Sequence, residues 1–185
     1  MSPESFDSEQ QFRLMVEAAP NGMLLVDEQG MIVMANASAL RQFGYEREEL
    51  LGKSVEMLIP GPFRSDHRQH RAGFIQAPQT RTMGSGRELS GLRKDGSEFA
   101  VEIGLTPIQT TKGMRVVASI VDITERRQSE QAIRHSEERY RRLAEVSSDA
   151  VLVNRGDRIV FINDQGVKLF GANSPDDIVG KSLLE

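Results

Sequence analysis

Cysteine and tryptophan are absent from this 185-residue chain, and aromatic residues make up only 5% of it. Without cysteine, the chain has no disulfide, no thiolate metal site and no cysteine nucleophile. Apolar runs stay shorter than the roughly 18 residues that a membrane-spanning helix needs. The acidic, polar stretch from Met1 to Phe12 also lacks the basic start and apolar centre of a secretion signal. We therefore expect a cytoplasmic protein with no membrane segment in this part of the chain.

An excess of basic residues is also lacking. The chain has 23 Lys and Arg against 27 Asp and Glu, which gives a formal net charge of −4 at pH 7. Surfaces that bind nucleic acids or anionic membranes need clustered Lys and Arg. We therefore expect no nucleic-acid partner.

The chain contains an internal repeat. The segment that begins at Phe12 matches the segment that begins at Tyr140, with one residue lost in a turn and the original offset restored at the end. The matched pairs are Phe12 and Tyr140, Leu24 and Leu152, Asn36 and Asn163, and Gly52-Lys53-Ser54 and Gly180-Lys181-Ser182. We expect a flanking helix at residues 1–11, a complete domain at 12–122, a helical connector at 123–139 and an incomplete second copy at 140–185. That second copy would lack its last helix and its three-stranded β half.

Periodicity along the first copy predicts an α+β fold. Strands are expected at Met23–Val26 and Met31–Ala35, three helices between Ala37 and Ile75, and three strands after them. These last strands are predicted at Arg81–Leu92, Glu98–Ile108 and Met114–Val121. Every second residue is apolar along the middle one, which is typical of a strand with one buried face. The prediction is a five-stranded antiparallel sheet with the helices on one face.

The pattern becomes helical at Thr124, which is a candidate N-cap. Ile133, Tyr140 and Leu143 lie in heptad spacing, with Ser136 as a weak member. A thin apolar seam of this kind fits either a solvated connector or a dimeric coiled coil. Gly84-Ser85-Gly86 lacks the Lys-Ser/Thr ending of a phosphate loop, and no nucleophile–base set is visible. We therefore expect this part of the chain not to be an enzyme.

At this point the residues resemble the PAS family, also called S-box domains. The motifs that carry the resemblance are Ala19-Pro20-Asn21-Gly22, Asn36-Ala37, Phe43-Gly44-Tyr45, Glu49-Leu50-Leu51-Gly52-Lys53, Arg93-Lys94-Asp95-Gly96-Ser97 with Phe99, and Asp122-Ile123-Thr124-Glu125-Arg126. The resemblance implies the PAS fold, with a small-molecule or cofactor pocket between sheet and helices. It also implies signal output through Asp122, Ile123 and Thr124 into the following helix, within a homodimer formed through the PAS domain and the connector helices.

Within that family, four segments resemble the heme-binding oxygen-sensor PAS domains of rhizobial kinases. They are Leu58-Ile59-Pro60, Phe63-Arg64-Ser65, His67, and Gly84-Ser85-Gly86-Arg87. The resemblance implies that His67 ligates the heme iron, with His70 as the alternative ligand, and that Arg87 contacts bound oxygen. It further implies that Ile103 and Leu105 exclude water and that Met83 also lines the site. Gly73 stands where those sensors carry a propionate-contacting arginine, and Arg81 is the candidate for a second such contact.

Several alternatives stay open at this stage. His67 also fits a purely structural helix histidine, and a non-covalent FAD site or no cofactor at all is compatible with the same residues. The light-sensing flavin type is excluded because it needs a reactive cysteine. The resemblance implies a sensory input module whose effector lies further along the parent protein. That effector would be a histidine kinase of a two-component system or, as the alternative, a diguanylate cyclase or phosphodiesterase; the remaining alternative is a ligand-free dimerisation scaffold.

Overall fold

The computed structural model describes residues 3–83 and 89–182, with side chains from residue 10 onward except at position 12. By internal contacts the chain divides into two compact units, residues 1–126 and 127–185. Helix α5 (Thr124–Glu145) begins in the first unit and continues in the second. The helix therefore ends at Glu145, beyond residue 139, where the sequence predicted the connector to end.

The first unit has the element order predicted from the sequence, except for a longer N-terminal helix and one additional strand among the described residues. Its helices are α1 (Pro3–Ala18), α2 (Ala37–Phe43), α3 (Arg47–Leu50) and α4 (Arg64–Gln76), with 3-10 turns at Val55–Leu58 and Gly61–Phe63. Its strands are β1 (Gly22–Asp27), β2 (Ile32–Ala35), β3 (Arg81–Met83), β4 (Ser90–Leu92), β5 (Glu98–Thr110) and β6 (Gly113–Asp122).

These strands form one antiparallel sheet in the order β2-β1-β6-β5-β3, and β4 also pairs with β5. Within the described residues the sheet has six strands, not five, because the strand predicted over Arg81–Leu92 is represented by two short strands, β3 and β4. Met83 pairs with Ile103 and Ser90 with Ala100. The middle of the predicted strand, residues 84–88, lies outside the described residues.

Alternation along β5 places its apolar side chains on the face that the helices cover. Phe99 and Val101 are buried, and Ile103 and Leu105 pack against the same core. The remaining buried members of this core come from β1, β2, the helical segments and β6; they are Leu24, Val26, Ile32, Ala35, Ala39, Phe43, Leu50, Leu58, Ala118 and Ile120. The α+β fold predicted from the sequence is confirmed.

The side chain of Asn36 joins three elements of this unit. Its Oδ1 accepts hydrogen bonds from the backbone N–H groups of Met23 (2.8 Å) and Ala39 (2.9 Å). Its Nδ2 donates to the carbonyl oxygens of Val16 and Asn21, both at 3.0 Å. Asn36 is fully buried and is the N-cap of α2. It therefore ties the end of α1 to the start of β1 and of α2.

The second unit repeats this arrangement. It contains β7 (Leu152–Arg155), β8 (Arg158–Ile162), α6 (Asp164–Leu169) and a 3-10 turn at Pro175–Asp177. The register shifts within the β7–β8 pair as it does within the β1–β2 pair. Asn163 makes the equivalent four bonds: Oδ1 accepts from Val151 N and Gly166 N, and Nδ2 donates to Ala144 O and Asp149 O. The repeat seen in the sequence is therefore a structural repeat.

Helix α5 is highly charged and none of its side chains is buried. Ile133, Tyr140 and Leu143, which form the heptad seam predicted from the sequence, are all exposed. Among the residues that the structure describes, no helix is both long and apolar enough to cross a bilayer.

Candidate ligand cavity and helix junction

The first unit encloses a cavity of about 390 Å³. This volume lies within the range of pockets that hold small molecules, roughly 300–1,000 Å³. Apolar side chains provide most of its wall: Leu24, Val26, Phe43, Val55, Leu58, Ile59, Phe63, Phe74, Ile75, Met83, Leu89, Val101, Ile103, Leu105, Val116, Ala118 and Ile120. The charged and polar wall includes Asp27, Asp66, His67, His70, Arg71 and Arg81. An apolar space with a few polar groups is the usual form of a ligand site.

Helix α4 brings both candidate histidines to this wall. Pro60 precedes the 3-10 turn that leads into α4, and the Arg64 side chain donates from Nε to the carbonyl oxygen of Ile59 at 2.9 Å. The start of the helix is thereby attached to the segment before it. His67 and His70 lie one turn apart on the same face of α4, as i and i+3 residues do, and both line the cavity.

His67 is held by a carboxylate that the sequence did not single out. Its Nδ1 lies 3.3 Å from Oε1 of Glu56, and the His67 side chain is 30% exposed. Burial lowers the pKa of His67, although the nearby Glu56 carboxylate acts in the opposite direction. This shift favours the neutral imidazole, which is the form that ligates metals.

Glu56 itself is buried, with 5% of its side chain exposed. Arg71 Nε lies 3.2 Å from its Oε1, and the Ser54 hydroxyl donates to its Oε2. Burial alone would raise the pKa of Glu56, but the hydrogen bonds from Ser54 and the backbone, together with Arg71, outweigh it and lower the pKa. Glu56 and Arg71 were missed from the sequence because their relation to His67 arises only when the 3-10 turn packs against α4.

The structure places the other predicted site residues as follows. Met83 on β3 and Ile103 and Leu105 on β5 line the cavity. Arg81 also lines it, with its guanidinium carbon 4.9 Å from the centre of the Phe74 ring. Arg87, predicted to contact bound oxygen, lies outside the described residues. Within the described residues, no group of three or more His, Asp or Glu side chains could hold a bare metal ion.

The predicted output residues form a junction between the sheet and α5. Asp122 accepts a hydrogen bond at Oδ1 from the backbone N–H of Thr124 (2.9 Å). The capping bond therefore comes from Asp122, whereas the sequence indicated Thr124 as the cap. Ile123 is buried, and its N–H donates to the carbonyl oxygen of Ala100.

Arg93, which the sequence placed only within a turn motif, connects this junction to the cavity wall. Its Nη2 donates to Oδ2 of Asp122 at 2.8 Å, and its guanidinium carbon lies 3.8 Å from the centre of the Phe99 ring. Phe99 in turn packs edge-on against Phe43, a cavity residue, with 5.2 Å between ring centres. Burial would raise the pKa of Asp122, but the hydrogen bonds from Thr124 and Arg93 lower it overall.

An antiparallel sheet with helices over one face and an apolar cavity between them is the arrangement of sensory PAS domains. A profile described as PAS domain matches residues 20–125, and a second one matches residues 138–185. The first match covers more than half of the chain. The chain therefore belongs to the PAS domain family.

Several characterised proteins are similar to it. Sensor protein FixL of Bradyrhizobium diazoefficiens is 27% identical over 80% of this chain and 27% of that protein. Sporulation kinase A of Bacillus subtilis is 26% identical over 94% of this chain and 28% of that protein. Oxygen sensor protein DosP of Escherichia coli is 28% identical over 60% of this chain and 14% of that protein. The chain thus spans less than a third of the length of these relatives.

Solved structures agree on the fold. The PAS domain of an HTR-like protein from Haloarcula marismortui superposes with a TM-score of 0.57 at 23% identity. That similarity covers 65% of this chain and 95% of the other.

Proposed function

We propose that the first unit is a sensory input domain that binds a small ligand or cofactor in its cavity and relays occupancy through α5. The observation that carries this proposal is an apolar cavity of about 390 Å³ with a half-buried imidazole, His67, in its wall. The similarity to sensor proteins and kinases supports the sensory role.

Heme is the cofactor that the site residues fit best. His67 would supply the protein ligand that a heme iron needs. A neutral imidazole in an apolar wall is suited to that task, whereas a bare metal ion would need a cluster of ligands. When bound, heme supplies an iron centre that responds to a small gas molecule such as oxygen. Arg81 at the cavity is the candidate partner for a heme propionate.

The chain's own residues have distinct parts in this proposal. His67 holds the cofactor, and Met83, Ile103 and Leu105 keep water away from it. A change in cavity occupancy alters the packing of Phe43, and through the Phe99 ring it alters Arg93 and its bond to Asp122. That bond caps the first turn of α5, so the start of the helix is the element that responds.

A histidine kinase is the effector that we propose for the parent protein, because kinases recur among the similar proteins. A diguanylate cyclase or phosphodiesterase effector is the alternative. A homodimer formed through the PAS unit and α5 is part of the same proposal. It is motivated by the exposed apolar residues Ile133, Tyr140 and Leu143 on the helix.

Absorption spectroscopy of the purified chain tests the cofactor. After heme supplementation we expect a Soret band that is lost in His67→Ala and kept in His70→Ala. Loss in His70→Ala alone would assign the ligand to His70. A colourless protein would refute the heme proposal, and bound flavin released on denaturation would establish FAD instead. Absence of any bound molecule would favour the dimerisation scaffold.

A further inference from the structure

Three side chains converge on the buried Glu56 carboxylate. Its Oε1 is shared by His67 Nδ1 at 3.3 Å and Arg71 Nε at 3.2 Å, and its Oε2 receives the Ser54 hydroxyl. Both oxygens are therefore engaged in a site with little solvent. All of these contacts are made between side chains of the protein itself.

The geometry determines which nitrogen of His67 carries the hydrogen. A carboxylate paired with a guanidinium is an acceptor only, and a neutral imidazole has a single N–H. If that hydrogen were on Nε2, the lone pair of Nδ1 would face an anionic oxygen at 3.3 Å, which is repulsive. The hydrogen therefore lies on Nδ1 and is donated to Glu56, and the lone pair is on Nε2.

Arg71, which donates to the same carboxylate oxygen that His67 contacts, is itself held in place. Its Nη1 donates to the carbonyl oxygen of Glu28 at 3.0 Å, in the turn between β1 and β2. Gly30 in the same turn has a φ of +87°, and a Cβ there would lie 2.5 Å from Cζ of Arg71. The left-handed backbone favours glycine at this position, and the Arg71 guanidinium packs over it. The turn therefore holds Arg71, and Arg71 holds Glu56.

We propose that Glu56 is a positioning residue for the cavity: it fixes the ring and the tautomer of His67 so that the unprotonated Nε2 is available to the ligand. The ligand must then offer either a Lewis-acidic metal centre or a hydrogen-bond donor to this nitrogen, and a ligand with only acceptors at that point is disfavoured. This inference rests on the proposed function only in assuming that a ligand occupies the cavity. Carboxylates that orient a metal-ligating histidine act in the same way, and their loss costs 10–100-fold in affinity.

Nitrogen NMR of the ligand-free 185-residue chain tests the tautomer directly. With ¹⁵N-labelled histidine, long-range proton–nitrogen correlations distinguish the two neutral tautomers, and His67→Ala identifies the His67 signals by their loss. We expect the Nδ1–H tautomer in the wild type and a shift towards Nε2–H in Glu56→Leu, because leucine offers no acceptor to Nδ1–H. Glu49→Leu is the matched control, because Glu49 also pairs with a cation, but its partner is Lys94 rather than Arg71 and His67.

Wild-type His67 in the Nε2–H form would overturn the proposal, and so would an unchanged tautomer in a folded Glu56→Leu protein. If Glu56→Leu fails to fold, the wild-type measurement decides the question by itself. Heme titration adds a second readout: we expect 10–100-fold weaker binding to Glu56→Leu than to Glu49→Leu, and equal binding would contradict the positioning role. If no heme binds at all, the heme proposal fails, while the tautomer result still decides the role of Glu56.

Discussion

Replacement of Asn36 should loosen the junction at which the end of α1 meets the starts of β1 and α2. Asn36→Ala removes four hydrogen bonds to backbone groups, two from N–H donors and two to carbonyl acceptors. Two of these bonds are buried and two are partly buried, and the Val16 carbonyl oxygen keeps a second donor, the N–H of Ala19. Each such group costs about 1–3 kcal/mol when it stays unsatisfied. Because water reaches some of them after the substitution, we expect a loss of about 3–5 kcal/mol in the free energy of unfolding. That is a large part of the roughly 5–15 kcal/mol that stabilises a typical domain.

Asn36→Asp keeps the two hydrogen bonds that Asn36 accepts and removes the two that it donates. Aspartate retains the acceptor bonds from Met23 and Ala39 and is an equally good N-cap. It cannot donate to the carbonyl oxygens of Val16 and Asn21, and its charge repels them. We therefore expect the end of α1 to detach while α2 stays protected.

Hydrogen exchange measured by mass spectrometry checks both variants at peptide resolution. Exchange should rise at residues 13–24 in both Asn36 variants, and at α2 only in Asn36→Ala. Asn163→Ala is the matched control, since it removes the same four bonds from the second unit and should raise exchange only there. Wild-type protection of residues 13–24 in Asn36→Ala would refute the reasoning, as would equal loosening of both units by either alanine variant.

Three further predictions concern the cavity wall and the start of α5. Gly91→Ala should destabilise the first unit by about 1–3 kcal/mol, because a Cβ would lie 2.7 Å from the Phe99 ring. The control is Gly73→Ala, where the added methyl meets open space. A melting temperature for Gly91→Ala as high as that of Gly73→Ala would contradict this prediction. The pKa of Asp122 is lowered in the folded state. The ionised carboxylate therefore stabilises the fold at pH values above its unfolded-state pKa, and this stabilisation is lost as the pH falls through the folded-state pKa. In urea unfolding at two pH values, the free energy of unfolding of Asp122→Asn should fall less at the lower pH than that of the wild type. Arg93→Lys should raise hydrogen exchange at residues 124–127 because lysine lacks the planar fork of arginine, and unchanged exchange would exclude Arg93 from the junction.

The sequence predicted the fold well where the determining pattern is local. Alternation from Phe99 to Leu105 depends only on the two-residue period of a strand, and β5 buries the predicted face. The strand predicted over Arg81–Leu92 is represented in the structure by β3 and β4 at its two ends, while residues 84–88 lie outside the described part of the chain. Apolar pattern alone cannot reveal that Met83 and Ser90 pair with residues so close together on the partner strand.

The candidate site was also predicted only in part. His67, His70 and Met83 were selected by resemblance, and the structure places all three on the cavity wall, where their roles stay predictions. Glu56 and Arg71 carry no motif. They could not be predicted from the sequence, because Glu56 lies in a 3-10 turn and contacts His67 only when α4 packs beside that turn.

Coupling between the cavity and α5 needs an element that has two states of similar energy, not merely a row of contacts. We propose that the first turn of α5 is this element. Its cap depends on Asp122, which is shared between the Thr124 backbone and the Arg93 guanidinium. A helix cap contributes about 1 kcal/mol, and coupling free energies between sites are typically 1–3 kcal/mol. Because these magnitudes are comparable, a change in packing at Phe99 that weakens the Arg93–Asp122 pair would suffice to shift the helix start between capped and frayed states.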